Sequence, residues 1–294
     1  MSGRFGRVVT AMVTPFDDDL RLDLDASAEL AKWLADNGTD GLVIAGTTGE
    51  GPTLSDGEKL DLFRAVREAV TIPVIAGTGT YDTAHSVHLT KETVRLGVDA
   101  VLAVTPYYNR PSQANLVHHF TAIANAAGDV PVVLYDIPIR TGRKIEAETI
   151  VELSKVSNIV AVKDAAGNPA ESVRWVRETP DEFELYSGDD NQTLPFLAVG
   201  AVGVVSVSAH WAGVQIGEMI SSFLKGDVES ARRANEQLLP TWLFNGSDAS
   251  PSPAPTKAMM RTLGLPVGHA RPPMGPDEPA DLEEQARKVY AALA

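Results

Sequence analysis

The chain of 294 residues contains no cysteine. Disulfide bonds, thiol nucleophiles and thiolate metal ligands are therefore excluded. The sequence also has no apolar run long enough to span a bilayer, and its first six residues show no apolar core of a signal peptide. From these absences we expect a cytoplasmic protein with no membrane partner.

Positive charge is scarce as well, since 25 Lys and Arg residues face 39 Asp and Glu residues, for a net charge of −14. A field of this sign repels a phosphate backbone, so nucleic acid is not an expected partner. A local pocket can still be positive, and a small anionic substrate is not excluded. Histidine occurs in two close pairs, His85 with His88 and His118 with His119. Neither pair has a third ligand at metal spacing, so no metal site is predicted.

Short apolar runs rich in Val and Ile alternate with helical patterns as far as about residue 225. Continuous apolar runs are typical of strands that are buried on both faces of a parallel sheet. Between the second and third runs, Ser55 and Glu58 match a capping box at the start of a helix. The predicted strands are Val8–Thr14, Gly41–Ala45, Ile72–Ala76, Ala100–Val104, Val132–Tyr135, Ile159–Lys163, Phe183–Tyr186 and Val202–Val207.

Strands that alternate with helices in this way fit either a closed barrel or an open doubly wound sheet. The number of strands and the chain length favour the barrel, and no G-x-G-x-x-G motif opens a helix after a strand. We therefore predict an α/β chain, with a (β/α)8 TIM barrel as the catalytic domain over residues 1–225. Residues 226–294 are predicted to be helical only. They should pack on the barrel as a C-terminal helical subdomain, because Leu238, Trp242 and Met259 need burial.

The active sites of such barrels lie at the carboxyl ends of the strands. Lys163 follows the apolar run Ile159–Val162 and should lie at the rim of a dry interior. One interpretation is a strand-end lysine whose ammonium group reaches water. The other is an amine that is made nucleophilic because water is kept away from it.

Hydroxyl groups lie at the ends of other predicted strands: Thr47 and Thr48 follow the second, Tyr107 and Tyr108 follow the fourth, and Tyr135 ends the fifth. Each has a structural explanation when taken singly, as a turn residue, a loop aromatic or a buried tyrosine with one hydrogen bond. Together they place hydroxyls from three strand ends near one amine, which a packed core does not need. The N–H groups of residues 46–51 could also hold a carboxylate. After the seventh strand, Asp190 is predicted to cap a helix.

Several segments, taken in order, resemble the dihydrodipicolinate synthase family, also called 4-hydroxy-tetrahydrodipicolinate synthase, of the N-acetylneuraminate lyase superfamily. The similarity extends from about Val8 to the segment Arg271–Met274. The segments are Gly46-Thr47-Thr48-Gly49-Glu50, Thr105-Pro106-Tyr107-Tyr108-Asn109-Arg110-Pro111, Tyr135-Asp136-Ile137-Pro138 with Arg140-Thr141-Gly142, Val162-Lys163-Asp164-Ala165, Ser187–Asp190 and Gly203–Val207.

The resemblance implies a lyase whose Lys163 forms a Schiff base with pyruvate. The resulting enamine would add to L-aspartate 4-semialdehyde and give 4-hydroxy-tetrahydrodipicolinate, for diaminopimelate and lysine biosynthesis. It implies that Tyr135 donates and accepts protons, and that Thr47 and Tyr108 complete a proton relay. Tyr108 would come from a neighbouring subunit of a homo-oligomer, commonly a tetramer built as a dimer of dimers.

The resemblance also implies the residues that bind the substrates. Thr48 would hold the carboxylate of pyruvate, Arg140 would hold the carboxylate of the semialdehyde, and Val205 would pack near the bound pyruvate. A guanidinium suits this task because its planar fork matches a carboxylate. No metal and no organic cofactor are implied.

Three questions stay open at this point. Another pyruvate-dependent aldolase of the superfamily, of the N-acetylneuraminate or 2-keto-3-deoxy-gluconate type, would share the lysine but usually lacks the arginine at position 140. A non-catalytic relative that only binds a small ligand is the second alternative. Third, members sensitive to lysine often carry histidine at the first positions of the helix that here contains Asp56 and Lys59, and glutamate at the last position, where this chain has His85. Lys59 would repel a cationic ligand and His85 would not replace a carboxylate, so we predict weak or absent inhibition by lysine. The other residues of that region are Pro52 and Tyr81.

Overall fold

A computed structural model describes residues 3–245, 250–275 and 277–293. Its strands form one closed parallel barrel in which each strand pairs with the next and the last pairs with the first. The closing pair joins Val9 to Val205, which excludes the open doubly wound sheet and confirms the predicted barrel. The strands are β1 (Val8–Ala11), β2 (Gly41–Ile44), β3 (Val74–Gly77), β4 (Ala100–Val104), β5 (Val132–Asp136), β6 (Ile159–Asp164), β7 (Glu184–Ser187) and β8 (Gly203–Ser206).

Helices follow the strands and cover the outside of the barrel. Two short 3₁₀ turns, Gly51–Thr53 and Asp190–Gln192, follow β2 and β7. The α-helices are α1 (Leu24–Asp36), α2 (Asp56–Ala69), α3 (Thr83–Val94), α4 (Gln113–Ala127), α5 (Pro138–Thr141), α6 (Ala147–Leu153), α7 (Pro169–Glu178), α8 (Thr193–Ala198), α9 (Ala209–Leu224), α10 (Val228–Gln237), α11 (Leu239–Phe244), α12 (Ala254–Thr262) and α13 (Leu282–Ala291).

The start of α2 shows how the local sequence fixes an element. The hydroxyl of Ser55 accepts the N–H of Glu58 at 3.3 Å, and the Glu58 carboxylate accepts the N–H of Ser55 at 2.8 Å. This confirms the predicted capping box, which satisfies two N–H groups that the first turn leaves free. The helix then buries Phe63 and Val66 against the strands, and each such burial contributes about 1.5–3 kcal/mol.

Apolar side chains fill the inside of the barrel as well as the layer between strands and helices. The interior cluster includes Val9, Val43, Ile75, Val133 and Val205. A filled barrel is a core and not a pore, so its interior has no room for a ligand, and the active site is expected at the carboxyl ends of the strands.

The helices after α9 pack against one side of the barrel. Leu238, Met259 and Ala286 form one apolar cluster with Val204 of β8 and Ile216 of α9. Trp242 and Phe244 of α11 pack against the same cluster. The helical appendage is therefore joined to the barrel by a shared core, while the division of the chain at residue 225 stays a prediction. No helix in the described parts of the chain has both the length and the apolar character needed to cross a bilayer.

Candidate active site

A cavity of about 470 Å³ opens at the carboxyl ends of the strands. A second cavity of about 230 Å³ shares Thr47, Tyr135 and Arg140 with it and extends to Lys59 on α2. Because strand ends from opposite sides of the barrel meet here, residues far apart in sequence face one volume. The larger cavity is lined by Thr47, Thr48, Tyr135, Ile137, Ile139, Arg140, Lys163, Gly188, Asp189, Asp190, Asn191, Val207, Trp242, Asn245, Pro251 and Ser252.

Lys163 lies in the wall of this cavity and is only 5% exposed. The parallel register of β5 and β6 sets it directly beside Tyr135. Its amine nitrogen lies 4.1 Å from the centroid of the Tyr135 ring, within the range of a cation–π contact. The side chain is therefore largely buried, and the amine and the phenol lie together within one chain.

The loop after β2 presents two threonines to the cavity. It is a tight turn, in which the N–H of Glu50 donates to the Thr47 carbonyl at 3.1 Å and the N–H of Gly51 donates to the Gly46 carbonyl at 3.0 Å. A Cβ on Gly51 would lie 2.3 Å from the carbonyl oxygen of Ala45, so only glycine fits there.

Thr47 is half-buried and Thr48 is buried in this turn. Within the described chain, neither hydroxyl hydrogen-bonds to another protein group. Both hydroxyls are therefore available to a bound molecule.

Arg140 stands at the rim of both cavities, on the four-residue helix α5. The turn that follows is held by Thr141, whose hydroxyl interacts with the carbonyls of Ile137 and Arg143 at 3.1 and 2.8 Å. The exposed guanidinium can thus meet a carboxylate that enters from solvent.

Tyr108 and Val205 do not line the larger cavity. Tyr108 is 94% exposed and has a positive φ of 71°, so one chain does not bring it to Lys163. Its neighbour Tyr107 lines the smaller cavity and makes an edge contact with Tyr81 at 5.3 Å. Val205 is buried in the interior cluster with Tyr135, and Val207 lines the larger cavity. The role of Tyr108 across an interface and that of Val205 beside pyruvate stay predictions.

Two acidic residues at the cavity were not predicted as site residues. Burial raises the pKa of Asp189 to about 6, while the positive charge of Lys163 opposes the rise. The predicted helix cap at Asp190 is wrong. Its carboxylate accepts the N–H groups of Val207 and Ser208 at 3.1 and 2.8 Å, and the side-chain amide of Asn245 at 3.0 Å. Asn245 is 55 residues away in sequence, so no local pattern could indicate this contact.

Tyr135 and Lys163 are each followed in the sequence by a buried aspartate. Asp136 is fully buried, and burial raises its pKa to about 8 although the N–H of Ile145 donates to it. Burial also raises the pKa of Asp164, which accepts the Ser172 hydroxyl at 2.6 Å. Burial is the main cause of the rise at Asp136, and Asp164, which is paired with it in register, raises its pKa further.

One histidine of each pair has a hydrogen-bond partner in the protein. His85 lies 2.8 Å from the carboxylate of Asp56, and His119 lies 2.8 Å from the hydroxyl of Thr83. Among the residues that the structure describes, no group of three or more His, Cys, Asp or Glu side chains is placed to hold a metal ion.

The fold and the site define a (β/α)8 barrel whose polar cavity, at the carboxyl ends of the strands, contains a buried amine. The model of the dihydrodipicolinate synthetase family matches residues 4–292. This chain belongs to that family.

Individual relatives are similar in sequence to this chain over nearly its whole length. A 4-hydroxy-tetrahydrodipicolinate synthase of Moorella thermoacetica is 47% identical over 292 residues, which cover 99% of this chain and 98% of the relative. A 4-hydroxy-tetrahydrodipicolinate synthase of Acidothermus cellulolyticus is 50% identical over 290 residues, which cover 98% of this chain and 92% of the relative. The solved structure of the synthase from Cyanidioschyzon merolae with lysine bound has a TM-score of 0.94 at 44% identity and covers 99% of both chains.

Proposed function

We propose that this chain is a 4-hydroxy-tetrahydrodipicolinate synthase. It condenses pyruvate with L-aspartate 4-semialdehyde in the biosynthesis of diaminopimelate and lysine. The observation that carries the proposal is the buried amine of Lys163, 4.1 Å from the Tyr135 ring centroid in the wall of an open cavity. Relatives that are 47% and 50% identical bear the name of this activity, and the other superfamily aldolases are not favoured.

The first step is the attack of the neutral amine on the ketone carbon of pyruvate. The nucleophile is the neutral amine, and Lys163 presents its amine in the wall of the cavity. The carbinolamine then loses water and leaves an iminium on Lys163. Thr48 would hold the pyruvate carboxylate through its N–H and its hydroxyl, which has no partner within the described residues.

Proton transfers then build the new bond. Tyr135 donates the proton with which the carbinolamine hydroxyl leaves as water, and its phenolate then accepts a methyl proton, which turns the iminium into an enamine. The enamine carbon attacks the aldehyde carbon of the semialdehyde, and the new alkoxide takes a proton from the Tyr135 phenol. The amino group of the semialdehyde then attacks the imine carbon and displaces the amine of Lys163, which closes the ring. One water has been released and the lysine is regenerated.

The remaining assignments belong to the same proposal. Arg140 receives the carboxylate of the semialdehyde, and Val205 packs near the bound pyruvate. Thr47 completes a proton relay with Tyr135 and with Tyr108 from a neighbouring subunit of a homotetramer. The exposure of Tyr108 on a single chain supports this last assignment, because the side chain is available to another subunit. A cytoplasmic location completes the proposal.

A coupled assay with pyruvate and L-aspartate 4-semialdehyde tests the activity. We expect turnover with this pair and none with sugar acids; the reverse result would assign the chain to another aldolase type. Incubation with pyruvate and borohydride, followed by peptide mass spectrometry, tests the covalent step. We expect one reduced pyruvyl group, on Lys163. A protein that only binds its ligand would gain no such group.

A further inference from the structure

The loop that carries Thr47 and Thr48 is tied to the C-terminal region by a buried ion pair. Glu50 ends the loop and is 2% exposed, and Lys257 of α12 is 0% exposed. The amine of Lys257 lies 2.8 Å from one carboxylate oxygen of Glu50. The other oxygen accepts the backbone N–H of Arg271 at 2.7 Å. The loop after the second strand is thus held by residues more than 200 positions further along the chain.

The surroundings leave this pair little freedom. Lys257 also donates to the His269 carbonyl at 2.9 Å and lies 4.1 Å from the Phe16 ring centroid. The guanidinium of Arg271 lies 4.2 Å from the same ring and donates to the carbonyl of Thr53 at 3.0 Å. Phe16 therefore contacts both cations, and the loop from Glu50 to Thr53 is fixed at both ends.

The backbone of Glu50 is itself unusual. Its φ is 54° and its ψ is 33°, in the left-handed region that a residue with a Cβ adopts at a cost. This conformation turns the chain so that the Glu50 side chain points into the protein while Thr47 and Thr48 line the cavity. Contacts that oppose the strain must come from the rest of the fold, and the bonds to Lys257 and Arg271 are in place to do so.

A buried ion pair adds little net stability compared with apolar residues of the same shape. The short contact with Lys257 and the hydrogen bond from the Arg271 N–H do, however, specify one arrangement of the groups that they join. We propose that Glu50 and Lys257 are positioning residues, which act through the loop backbone to hold Thr47 and Thr48 where pyruvate binds. This inference rests on the proposed function, since the two threonines are assigned to pyruvate there.

Steady-state kinetics of four forms of the full-length protein test the proposal: wild type, E50Q, K257M and the control R261M. Arg261 is also on α12 and pairs with Glu278 at 2.7 Å, largely buried, but it does not contact the loop. In E50Q and K257M we expect the KM for pyruvate to rise at least about fivefold and kcat to fall. The KM for the semialdehyde should change less than about twofold, because Arg140 is on another loop. R261M should change the melting temperature alone.

Active sites are counted by borohydride trapping at saturating pyruvate, so that a loss of folded protein is not mistaken for a loss of function. E50Q decides the question if K257M does not accumulate, because glutamine keeps the volume and an acceptor for the N–H of Arg271. The inference is overturned if folded E50Q keeps both constants of the wild type. It is also overturned if R261M raises the KM for pyruvate as much as E50Q does. A wild-type protein that forms no pyruvyl adduct would instead refute the proposed function.

Discussion

The amine nitrogen of Lys163 lies 4.1 Å from the ring centroid of Tyr135, with both side chains buried. The two residues are 28 positions apart and meet because β5 and β6 pair in parallel register. This contact places a nucleophile next to a group that can transfer protons. An amine attacks only as the neutral base, and a phenol beside it can accept and return protons.

Replacing Lys163 should abolish the covalent step. In K163R and K163M we expect kcat to fall at least about 10³-fold, because neither side chain forms an imine. Neither variant should gain a pyruvyl group with borohydride. K155R, at an exposed lysine paired with Glu152, is the matched control and should keep wild-type activity. Residual trapping on another lysine would contradict the assignment.

Removing the hydroxyl of Tyr135 should slow turnover and leave the amine in place. We expect kcat in Y135F to fall about 10²- to 10⁴-fold, the range of general acid–base catalysis. Pyruvate should still be trapped on Lys163, but more slowly. Y290F on α13, which is exposed and does not line the cavity, serves as the control. A wild-type kcat in Y135F would show that protons move by another route.

Arg140 should act on the second substrate alone. In R140A we expect kcat/KM for the semialdehyde to fall about 10- to 100-fold, as for loss of charged hydrogen bonds. The KM for pyruvate should be unchanged and the melting temperature close to that of the wild type, because Arg140 is exposed. R177A, at an exposed arginine on α7, is the control. A rise in the KM for pyruvate with no effect on the semialdehyde would reverse the assignment.

Asp136 should impose a pH dependence on stability. Its pKa is about 8 in the fold and 3.8 ordinarily, so between these values the folded state holds a proton that the unfolded state has released. Stability from this group therefore falls as pH rises through that window, by at most about 1.4 kcal/mol per pH unit. D136N lacks this term and should become more stable relative to the wild type from pH 5 to pH 8.

Urea unfolding of both proteins at several pH values measures the difference. D181N, at an exposed aspartate before β7, should follow the wild type at every pH. If the stability difference between D136N and wild type does not change with pH, the carboxyl of Asp136 is ionised in the fold.

L-lysine should inhibit weakly or not at all. Lys59 is buried and lines the smaller cavity, and burial lowers its pKa, although Asp56 opposes this. The imidazole of His85 already pairs with the carboxylate of Asp56, with its Nε2 atom 2.8 Å from a carboxylate oxygen. A ligand with two amino groups would meet this amine and find no free carboxylate in the part of the cavity lining that is described. Initial rates measured against L-lysine test this, and half-inhibition below millimolar lysine would contradict it.

Local patterns in the sequence already determined much of the architecture. Val- and Ile-rich runs specified the strands and their order, and Ser55 with Glu58 specified the start of α2, because these signals act over a few residues. Strand ends were less certain. The apolar run from Val8 continues beyond β1, but the N–H of Val13 donates to His210 at 3.1 Å instead of to a strand. A buried loop and a buried strand can be equally apolar, so composition alone does not show where β1 ends.

For the candidate site too, the sequence indicated some residues and only the tertiary structure revealed others. The sequence identified Lys163, Tyr135, Thr47 and Thr48 as candidates, because they lie at the ends of strands that meet in a barrel. Arg140 was a candidate through the resemblance to the family. Only the tertiary structure decided that Asp190 binds Asn245 and the start of α9, and that Lys257 is buried against Glu50. Such contacts depend on how distant segments pack, and burial then sets which charges are paired. No periodicity within a segment carries that information.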